Sequence, residues 1–544
     1  MTRRHGLLSR AFLLVVLGLG LGLAGCEGDD GLDGLDGLDG ATGQACWDLN
    51  NNGVGDPDED INGDGIIDVY DCNAYASGAY AIEQLHTGYF TEHPYEGTES
   101  CLNCHGKMAE EVLDTAHFKW EGTAANIEGF EGGTHGKKDI LNNFCIAVPS
   151  NEGRCTQCHA GYGWVDQTFD SQDPKNIDCL VCHDQSGTYA KAKPNGGLPA
   201  DGVDLQVVAR SVAMNNGKPT VDNCIFCHAN AGGGNNVKHG DLAMSLANTT
   251  REYDVHMGTD GGDLECVDCH QVKKDVNGKL LSHGIGGMPY HSVDEGEMKQ
   301  CDDCHGSAAN IHAGKPVDLI VSSAAHQPLA CQVCHIPTFA RQTSTKTEWY
   351  WERAGQILDP APGPDPNDPT RPSFDRMKGD FVWQFNVRPE LRYFNGKYRK
   401  ALINDNDLYA AEPAVLAEPV GDHTDPNAKI YPFKKMIGNQ PADVVNQRIL
   451  VPHLFGTAGG PNPFWGTWDW DLALLDASAI TGQPYQAGDF GFVSTEMFLS
   501  VNHEVAPKEQ AYGFNGCEDC HLGGQIDWAA LGYNGDPASG GTRP

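Results

Sequence analysis

Residues 154–183 read RCTQCHAGYGWVDQTFDSQDPKNIDCLVCH and contain the pattern C-x-x-C-H twice. The same pattern occurs at eight places in the chain, and every copy keeps its histidine. Two cysteines three apart can form thioethers with the two vinyl groups of one haem, and the next histidine can bind its iron. A single C-x-x-C could equally serve zinc or redox chemistry, but eight copies that all end in histidine exclude that interpretation. The sequence therefore predicts eight haem c groups.

Eight covalent rings would replace much of an ordinary side-chain core. Together with 67 glycines and 30 prolines, they predict a mainly α fold with extensive coil over residues 75–540, a multihaem cytochrome c fold packed around eight covalent haems. Residues 336–500 contain no cysteine and many aromatic residues, and we expect them to pack over the haems. The predicted haem-attachment residues are Cys101, Cys104, His105, Cys155, Cys158, His159, Cys179, Cys182, His183, Cys224, Cys227, His228, Cys266, Cys269, His270, Cys301, Cys304, His305, Cys331, Cys334, His335, Cys517, Cys520 and His521.

The N-terminus predicts export. Arg3, Arg4 and Arg10 precede an apolar run over 11–24, and LAGC ends at Cys26. Residues 1–25 are therefore predicted to be a lipoprotein signal peptide, with Cys26 lipidated and residues 26–45 forming a Gly-rich acidic spacer. The alternative is ordinary signal cleavage with Cys26 incidental. We expect an exported lipoprotein, in the periplasm or at the outer membrane or cell surface, that touches the membrane by its lipid alone.

Residues 46–74 predict a calcium-binding module. Two consecutive loops match the spacing D-x-[DN]-x-[DN]-G, in which alternate oxygens wrap a hard cation. A merely acidic loop is the alternative. A disulfide between Cys46 and Cys72 would close both loops in an oxidising compartment. The predicted ligands are Asp48, Asn50, Asn52, Asp56, Glu59, Asp60, Asn62, Asp64, Asp68 and Asp71.

Charge excludes one class of partner. The chain has 37 Lys and Arg against 74 Asp and Glu, a formal net charge of −37. Such a chain is a poor nucleic-acid binder. One basic cluster stands out and predicts either a local funnel for anions or a face that pairs with haem propionates. It comprises Arg388, Arg392, Lys397, Arg399 and Lys400, with Lys434 and Lys435 later in the chain.

Each iron needs a sixth ligand or an open position, and histidines near the motifs are the natural candidates. The predicted distal ligands are His117, His239, His256, His283, His312, His326 and His503. Any one of these could instead be a surface or core histidine. The reserve candidates are His86, His93, His135, His291, His423 and His453.

The second motif differs from the others because GTHGKKDILNNFC (133–145) precedes it, with Lys137, Lys138 and the thiol of Cys145. A neutral lysine amine can bind iron, since burial lowers the pKa of lysine readily. By composition alone, paired lysines are more often part of a solvated loop.

Four blocks of sequence resemble the octahaem tetrathionate reductase family over roughly residues 80–540. They are NNFC…RCTQCHAGYGW (142–164), CQVCHIPTFAR (331–341), NHEVAP…CEDCH (502–521) and DWAALGYNGDP (527–537). The resemblance implies seven haems with two histidine ligands each and one catalytic haem, at the second motif, with lysine as its distal ligand. The catalytic group would then be His159 with Lys137 or Lys138.

Two functions follow as hypotheses. The first is a reductase of tetrathionate, nitrite or hydroxylamine that receives electrons from a redox partner cytochrome or a quinol-linked donor. The second is an electron conduit in which every iron is six-coordinate and no substrate binds. His135 distinguishes them, because a His135 ligand on the second haem would remove the open site. For the reverse reaction, hydroxylamine oxidation, the sequence carries no specific signal.

Overall fold

The computed structural model describes residues 79–543, apart from 193, 275–279, 288–295, 316, 324–325, 327, 405–410, 457–458 and 524–525. Ile82–Pro544 make up one compact unit. The predicted signal peptide, lipidated Cys26, spacer, calcium loops and Cys46–Cys72 disulfide lie outside the described residues, as does His291.

Short helices carry most of the haem-attachment motifs. C-x-x-C-H spans little more than one helical turn, so a helix places both thiols on one face with the histidine beside them. The helices of the described residues are α1 (Ala79–Glu92), α2 (Glu99–Leu113), α3 (Ala116–Lys119), α4 (Glu152–Cys155), α5 (Cys179–His183), α6 (Leu205–Ser211), α7 (Val221–Ala229), α8 (Cys266–Cys269), α9 (Cys301–His305), α10 (Ala308–His312), α11 (Asp318–Val321), α12 (Cys331–His335), α13 (Phe464–Thr467) and α14 (Trp470–Thr481).

Residues 345–500 form a nine-stranded sheet, which corrects the prediction of a mainly α fold: the protein is mixed α and β. The strand order is β10-β11-β14-β12-β6-β8-β7, and β9 and β13 also pair with β12. The strands of the described residues are β1 (Gly122–Thr123), β2 (Thr134–His135), β3 (His270–Lys274), β4 (Leu280–Ile285), β5 (Glu297–Met298), β6 (Thr345–Tyr350), β7 (Phe374–Asp375), β8 (Gly379–Gln384), β9 (Glu390–Phe394), β10 (Tyr398–Lys400), β11 (Ala414–Pro419), β12 (Lys429–Asp443), β13 (Arg448–Ile449) and β14 (Phe490–Ser500).

The aromatic residues of this segment explain the sheet. Along β8, buried and partly exposed side chains alternate, and Phe381 and Trp383 point inward. Aromatic residues favour such a pleated, half-buried surface. Strand β12 pairs antiparallel with β14 over eleven residue pairs and forms the centre of the sheet. The C-x-x-C-H motifs favour short helices, whereas the alternation of buried and exposed residues in this segment is typical of strands.

The sheet packs against the segment that leads into the second motif. Leu141, Phe144 and Ile146 belong to the same buried cluster as Trp349 and Trp351. The Trp351 indole donates to the Phe144 carbonyl at 3.0 Å. The Asn143 amide donates to the Met436 carbonyl of β12 at 2.9 Å. The sheet therefore fixes the backbone before the second motif.

No helix among the described residues is long and apolar enough to span a membrane.

Truncation of Trp351 should loosen this contact. Trp351 is fully buried, so Trp351→Ala should lower the free energy of unfolding by about 3–5 kcal/mol through cavity formation. Urea titration followed by circular dichroism measures it. Phe385→Ala, at a partly exposed aromatic residue in the same segment, is the control and should cost far less. Equal losses would show that the aromatic cluster does not hold the sheet to the second motif.

Candidate haem sites and the second motif

Six motif histidines face a second imidazole across a regular gap. The distances between ring centroids are 5.9 Å for His105 and His86, 6.1 Å for His228 and His117, 6.2 Å for His270 and His503, 6.0 Å for His305 and His256, 6.2 Å for His335 and His312, and 6.3 Å for His521 and His326. Two imidazoles bound on opposite sides of one metal, each by a bond of about 2 Å, have centroids roughly 6 Å apart. The spacing therefore fits an iron between each pair.

The hydrogen bonds of the Nδ1 atoms also support an iron between the paired imidazoles. The Nδ1 atoms of His86, His312 and His270 lie 2.9, 2.7 and 2.8 Å from the backbone carbonyls of Ile82, Ala308 and Gly286. A carbonyl can only accept, so each Nδ1 carries the proton. Each Nε2 then has a free lone pair for a metal.

His183 of the third motif lies near two further imidazoles, those of His283 and His86. Burial lowers the pKa of His183, and the charge of the nearby His283 lowers it further. The ring geometry thus places five of the seven predicted distal histidines opposite a motif histidine, and a sixth, His283, is near His183. The five are His117, His256, His312, His326 and His503.

The structure does not pair His239 in this way among the described residues, and His86 stands beside His105 instead. Histidines close to a motif along the chain were the predicted ligands. The observed histidine pairs instead depend on contacts between distant segments. His86 comes from α1, ahead of the first motif, and nothing in its local sequence marks it.

His135 lies apart from the second motif. Its ring packs edge-on against Phe130 at 5.2 Å, and its Nδ1 bonds to the Asp139 carboxylate at 2.6 Å. Two further reserve candidates, His93 and His453, also have partners other than a motif histidine. His93 stacks on Tyr89 at 4.5 Å, and His453 contacts Asp476 at 3.3 Å.

His159 of the second motif is prepared to bind a metal. Its Nδ1 donates to the Thr156 carbonyl at 2.7 Å, and its Nε2 is buried without a hydrogen-bond partner. A side chain at Gly161 would place its Cβ 2.5 Å from that Nε2. Burial, together with the charges of Lys191 and Lys137, lowers the pKa of His159 to about 3. A neutral ring with an unused, buried nitrogen fits an iron ligand.

A buried ion pair, which the sequence did not reveal, holds the backbone at His159. Lys191 contacts Asp178 at 2.9 Å and donates to the carbonyls of His159 and Gly161 at 2.7 and 3.0 Å. The Tyr189 hydroxyl donates to Asp178 at 2.6 Å. Asp178 also caps α5, the helix of the third motif. One carboxylate therefore positions two haem-attachment motifs.

The two candidate lysines face different surroundings. The Lys137 ammonium lies 3.8 Å above the Trp120 ring, and that ring stands edge-on to His159 at 6.2 Å. Lys138 instead pairs with Glu121 at 3.4 Å, and 44% of its side chain is exposed. The structure thus separates the lysines: Lys137 faces the second motif and Lys138 faces solvent.

Further lysines lie inside the protein near Lys137. Burial lowers the pKa of Lys238 to about 7, and the charge of Lys137 adds to the effect. Burial and the charge of Lys238 hold the pKa of Lys400 far below its ordinary value. Lys137, Lys238 and Lys400 therefore form one inner basic group. Lys434 also has a pKa lowered to about 7 by burial, and it donates to the Val237 carbonyl at 2.7 Å.

The outer members of the basic cluster are paired with carboxylates. Lys397 contacts Glu131 at 2.9 Å, and Lys435 contacts Glu496 at 2.8 Å. Arg399 pairs with both Glu128 and Glu418. Only part of the predicted funnel, Lys400 and Lys434, thus points into the protein.

Cys145 lies beside this region. Burial raises the pKa of its thiol, so it remains protonated at neutral pH and is a weak nucleophile. This environment favours an inert thiol over a role in sulfur chemistry.

Contacts between thiols of different motifs show which sites are neighbours. Cys101 contacts Cys179, Cys158 contacts Cys227, Cys224 contacts Cys266, and Cys301 contacts Cys331. Cys182 with Cys224, Cys269 with Cys304, and Cys334 with Cys520 are close enough for their charges to interact. The motifs therefore form a continuous series in the order 1, 3, 4, 5, 6, 7 and 8, with motif 2 attached to motif 4.

Known proteins resemble this chain in sequence and in fold. A family model described as bacterial cytochrome c matches residues 346–524. An uncharacterised protein of Archaeoglobus fulgidus is 26% identical over 226 residues, 32% of this chain and 73% of that protein. The crystal structure of octahaem cytochrome c from Shewanella oneidensis matches with a TM-score of 0.68 and 35% identity. That match covers 84% of this chain and 95% of that chain.

Loss of the Asp178 charge should be costly. Asp178→Asn leaves the Lys191 ammonium buried without its counter-charge, which we expect to cost about 3–5 kcal/mol of unfolding free energy. Urea titration measures the loss, and the haem spectrum of the second site should change with it. Glu99→Gln, which breaks the exposed pair with Lys175, should leave both almost unchanged. If the two variants behave alike, the ion pair does not position His159.

Proposed function

This chain belongs to the octahaem c-type cytochromes, and we propose that it is an exported reductase of a small inorganic sulfur or nitrogen compound, with tetrathionate, nitrite and hydroxylamine as the candidates. The reaction would take place at the second motif, and seven bis-histidine haems would supply its electrons. One observation carries the proposal: six motif histidines face a second histidine, whereas among the described residues His159 has no such partner and has Lys137 nearby, over the Trp120 ring.

Lysine suits a ligand that must leave. Each haem contributes an iron that exchanges one electron, and an iron held between two histidines is closed to substrate. A lysine amine binds a metal only without its extra proton, because an ammonium has no lone pair, so Lys137 would be the ligand that a substrate replaces. His159 stays in place because Thr156 holds its Nδ1 and burial keeps it neutral.

The inner basic group, Lys137, Lys238 and Lys400, suits anionic substrates such as tetrathionate and nitrite. The protein as a whole repels anions, so binding requires local compensation. Amines in a water-poor interior attract an anion far more strongly than exposed ones do. Lys238, with a pKa of about 7, can also hold or release a proton near neutral pH.

Electrons would travel along the series of motifs. Motif 2 joins the series at motif 4, through Cys158 and Cys227. The first motif stands at one end of the series, through Cys101 and Cys179, and the eighth stands at the other, through Cys334 and Cys520. A redox partner cytochrome or a quinol-linked donor could therefore deliver electrons at either end.

An electron conduit without a substrate is the second candidate, and the continuous series of motifs favours it. The position of His135 counts against it, because that ring bonds to Asp139 and packs on Phe130 rather than standing beside His159.

Substitution of the two lysines tests the proposal. Lys137→Ala should remove the near-infrared charge-transfer band of a His/Lys haem from the magnetic circular dichroism spectrum of the oxidised protein, and with it the reductase activity. Lys138→Ala is the matched control and should keep both, since Lys138 pairs with Glu121 at the surface. Eight bis-histidine signatures, unchanged in both variants, would establish the conduit.

Anion affinity should fall as pH rises. The pKa values of Lys238 and Lys434 are lowered to about 7, so both amines are charged below that pH and neutral above it. The Kd for nitrite, followed by the haem spectrum, should therefore increase from about pH 6 to about pH 8.

Lys238→Gln should weaken nitrite binding roughly tenfold at about pH 6 and flatten the pH profile. Lys218→Gln, at an exposed lysine paired with Asp268, is its control. A profile that Lys238→Gln leaves unchanged would show that the inner basic group does not bind the anion.

A further inference from the structure

Asp241 is a buried carboxylate held in the loop that follows His239. One per cent of its side chain is exposed. Its Oδ2 accepts the backbone N–H groups of Asn502 and His503 at 2.7 and 2.9 Å. Gly240, in the left-handed region with φ +88°, lets the backbone pass within contact of Phe339, where a Cβ would stand 2.5 Å from the ring. The fold therefore fixes this carboxylate against the segment around His503.

The same oxygen contacts the ring of His503. His503 Nδ1 lies 3.2 Å from Asp241 Oδ2, and its ring faces His270 of the fifth motif at 6.2 Å. A carboxylate can only accept, so Nδ1 donates. Such a bond increases the electron density on the opposite nitrogen, Nε2, and makes it a stronger donor to a metal. Stronger donation and the nearby negative charge both stabilise ferric iron over ferrous iron.

Other imidazoles in the array have weaker or better-solvated partners. His86 and His312 donate to neutral backbone carbonyls. His283 donates to Glu111 at 2.7 Å and His521 to Asp536 at 2.6 Å, but those carboxylates are 21% and 14% exposed. These two bonds are shorter than that of Asp241, yet water screens their charges. Asp241 therefore has a larger effect on its histidine than Glu111 or Asp536 has, because a charge acts several times more strongly in the interior than at the surface.

The surroundings of Asp241 leave its charge only partly compensated. Lys434 is close enough to feel that charge, but its ammonium bonds to the Val237 and Lys238 carbonyls and the Thr345 hydroxyl. Two further buried acids are near His503: Asp254, whose charge acts on it, and Glu504, the next residue in the chain.

We infer that Asp241 makes the haem of the fifth motif the low-potential member of the array. The step it controls is the reduction of ferric to ferrous iron by one electron from a neighbouring haem. The fifth site lies between the fourth, through Cys224 and Cys266, and the sixth, through Cys269 and Cys304. An uphill step at this place divides the array into two electron pools, motifs 1–4 and motifs 6–8. The inference does not depend on the reaction at the second motif.

Potentiometric titration of the full-length haem-loaded protein, followed by electron paramagnetic resonance, tests the inference. Asp241→Asn keeps the size of the side chain and removes its charge. The midpoint potential of the lowest-potential bis-histidine haem should shift upward, and the g values of that signal should change. Asp254→Asn is the matched control, because Asp254 is also buried beside His503 but accepts only backbone N–H groups. Glu111→Gln is the control for a solvated carboxylate–histidine pair. Both should produce smaller shifts.

An absent shift in Asp241→Asn, or shifts of equal size in the three variants, would overturn the inference. If Asp241→Asn does not fold, Lys434→Met provides the test. It removes the opposing charge and should shift the same midpoint downward, and an unchanged or raised midpoint would overturn the inference. Haem content and circular dichroism show which variant to use.

Discussion

The structure depends on the pairing of motif histidines, six of the eight, with a second imidazole across a gap that fits a metal ion. His270 and His503 stand 6.2 Å apart although they come from distant parts of the chain. A metal bonded to both would close a long loop, and the entropy cost of closure grows only slowly with loop length. Helices as short as α5 and α12 are not stable alone. Their conformation follows from the covalent and coordinate bonds that they are built to make.

The second motif departs from this scheme, and the departure changes its chemistry. Six motif histidines face a second imidazole, whereas His159 has the Lys137 amine nearby. Burial keeps His159 neutral, and burial with mutual repulsion lowers the pKa values of Lys238 and Lys400. Amines held this way are stable as neutral ligands or as partners of an anion. A site whose amines can be neutral or can bind an anion suits a substrate that enters and leaves.

The sheet and the buried acids hold the metal-binding histidines rigidly and place negative charge beside some of them and not others. Strand β12 and the tryptophans beside it fix residues 141–151, and the pair of Lys191 with Asp178 fixes His159 from the other side. Asp241 acts in a similar way on His503, but through charge as well as position. Hydrogen bonds from the ring or backbone of a metal-binding histidine to a polar group thus hold that histidine in position and adjust how strongly it donates to the metal.

The sequence by itself predicted the haem-attachment residues and identified the family of octahaem c-type cytochromes, because C-x-x-C-H is a local covalent pattern that needs no tertiary context. It also singled out the second motif. It narrowed the distal lysine to two neighbours and no further, since adjacent residues differ in burial rather than in composition. Only the tertiary structure turned Lys137 inward and Lys138 outward.

The tertiary structure also paired His86 with His105, formed a sheet from the aromatic segment, and buried Asp241 and Lys191 beside metal ligands. All of these depend on contacts between segments far apart in the chain. Their energies come from burial and exclusion of water, which no local pattern of residues encodes.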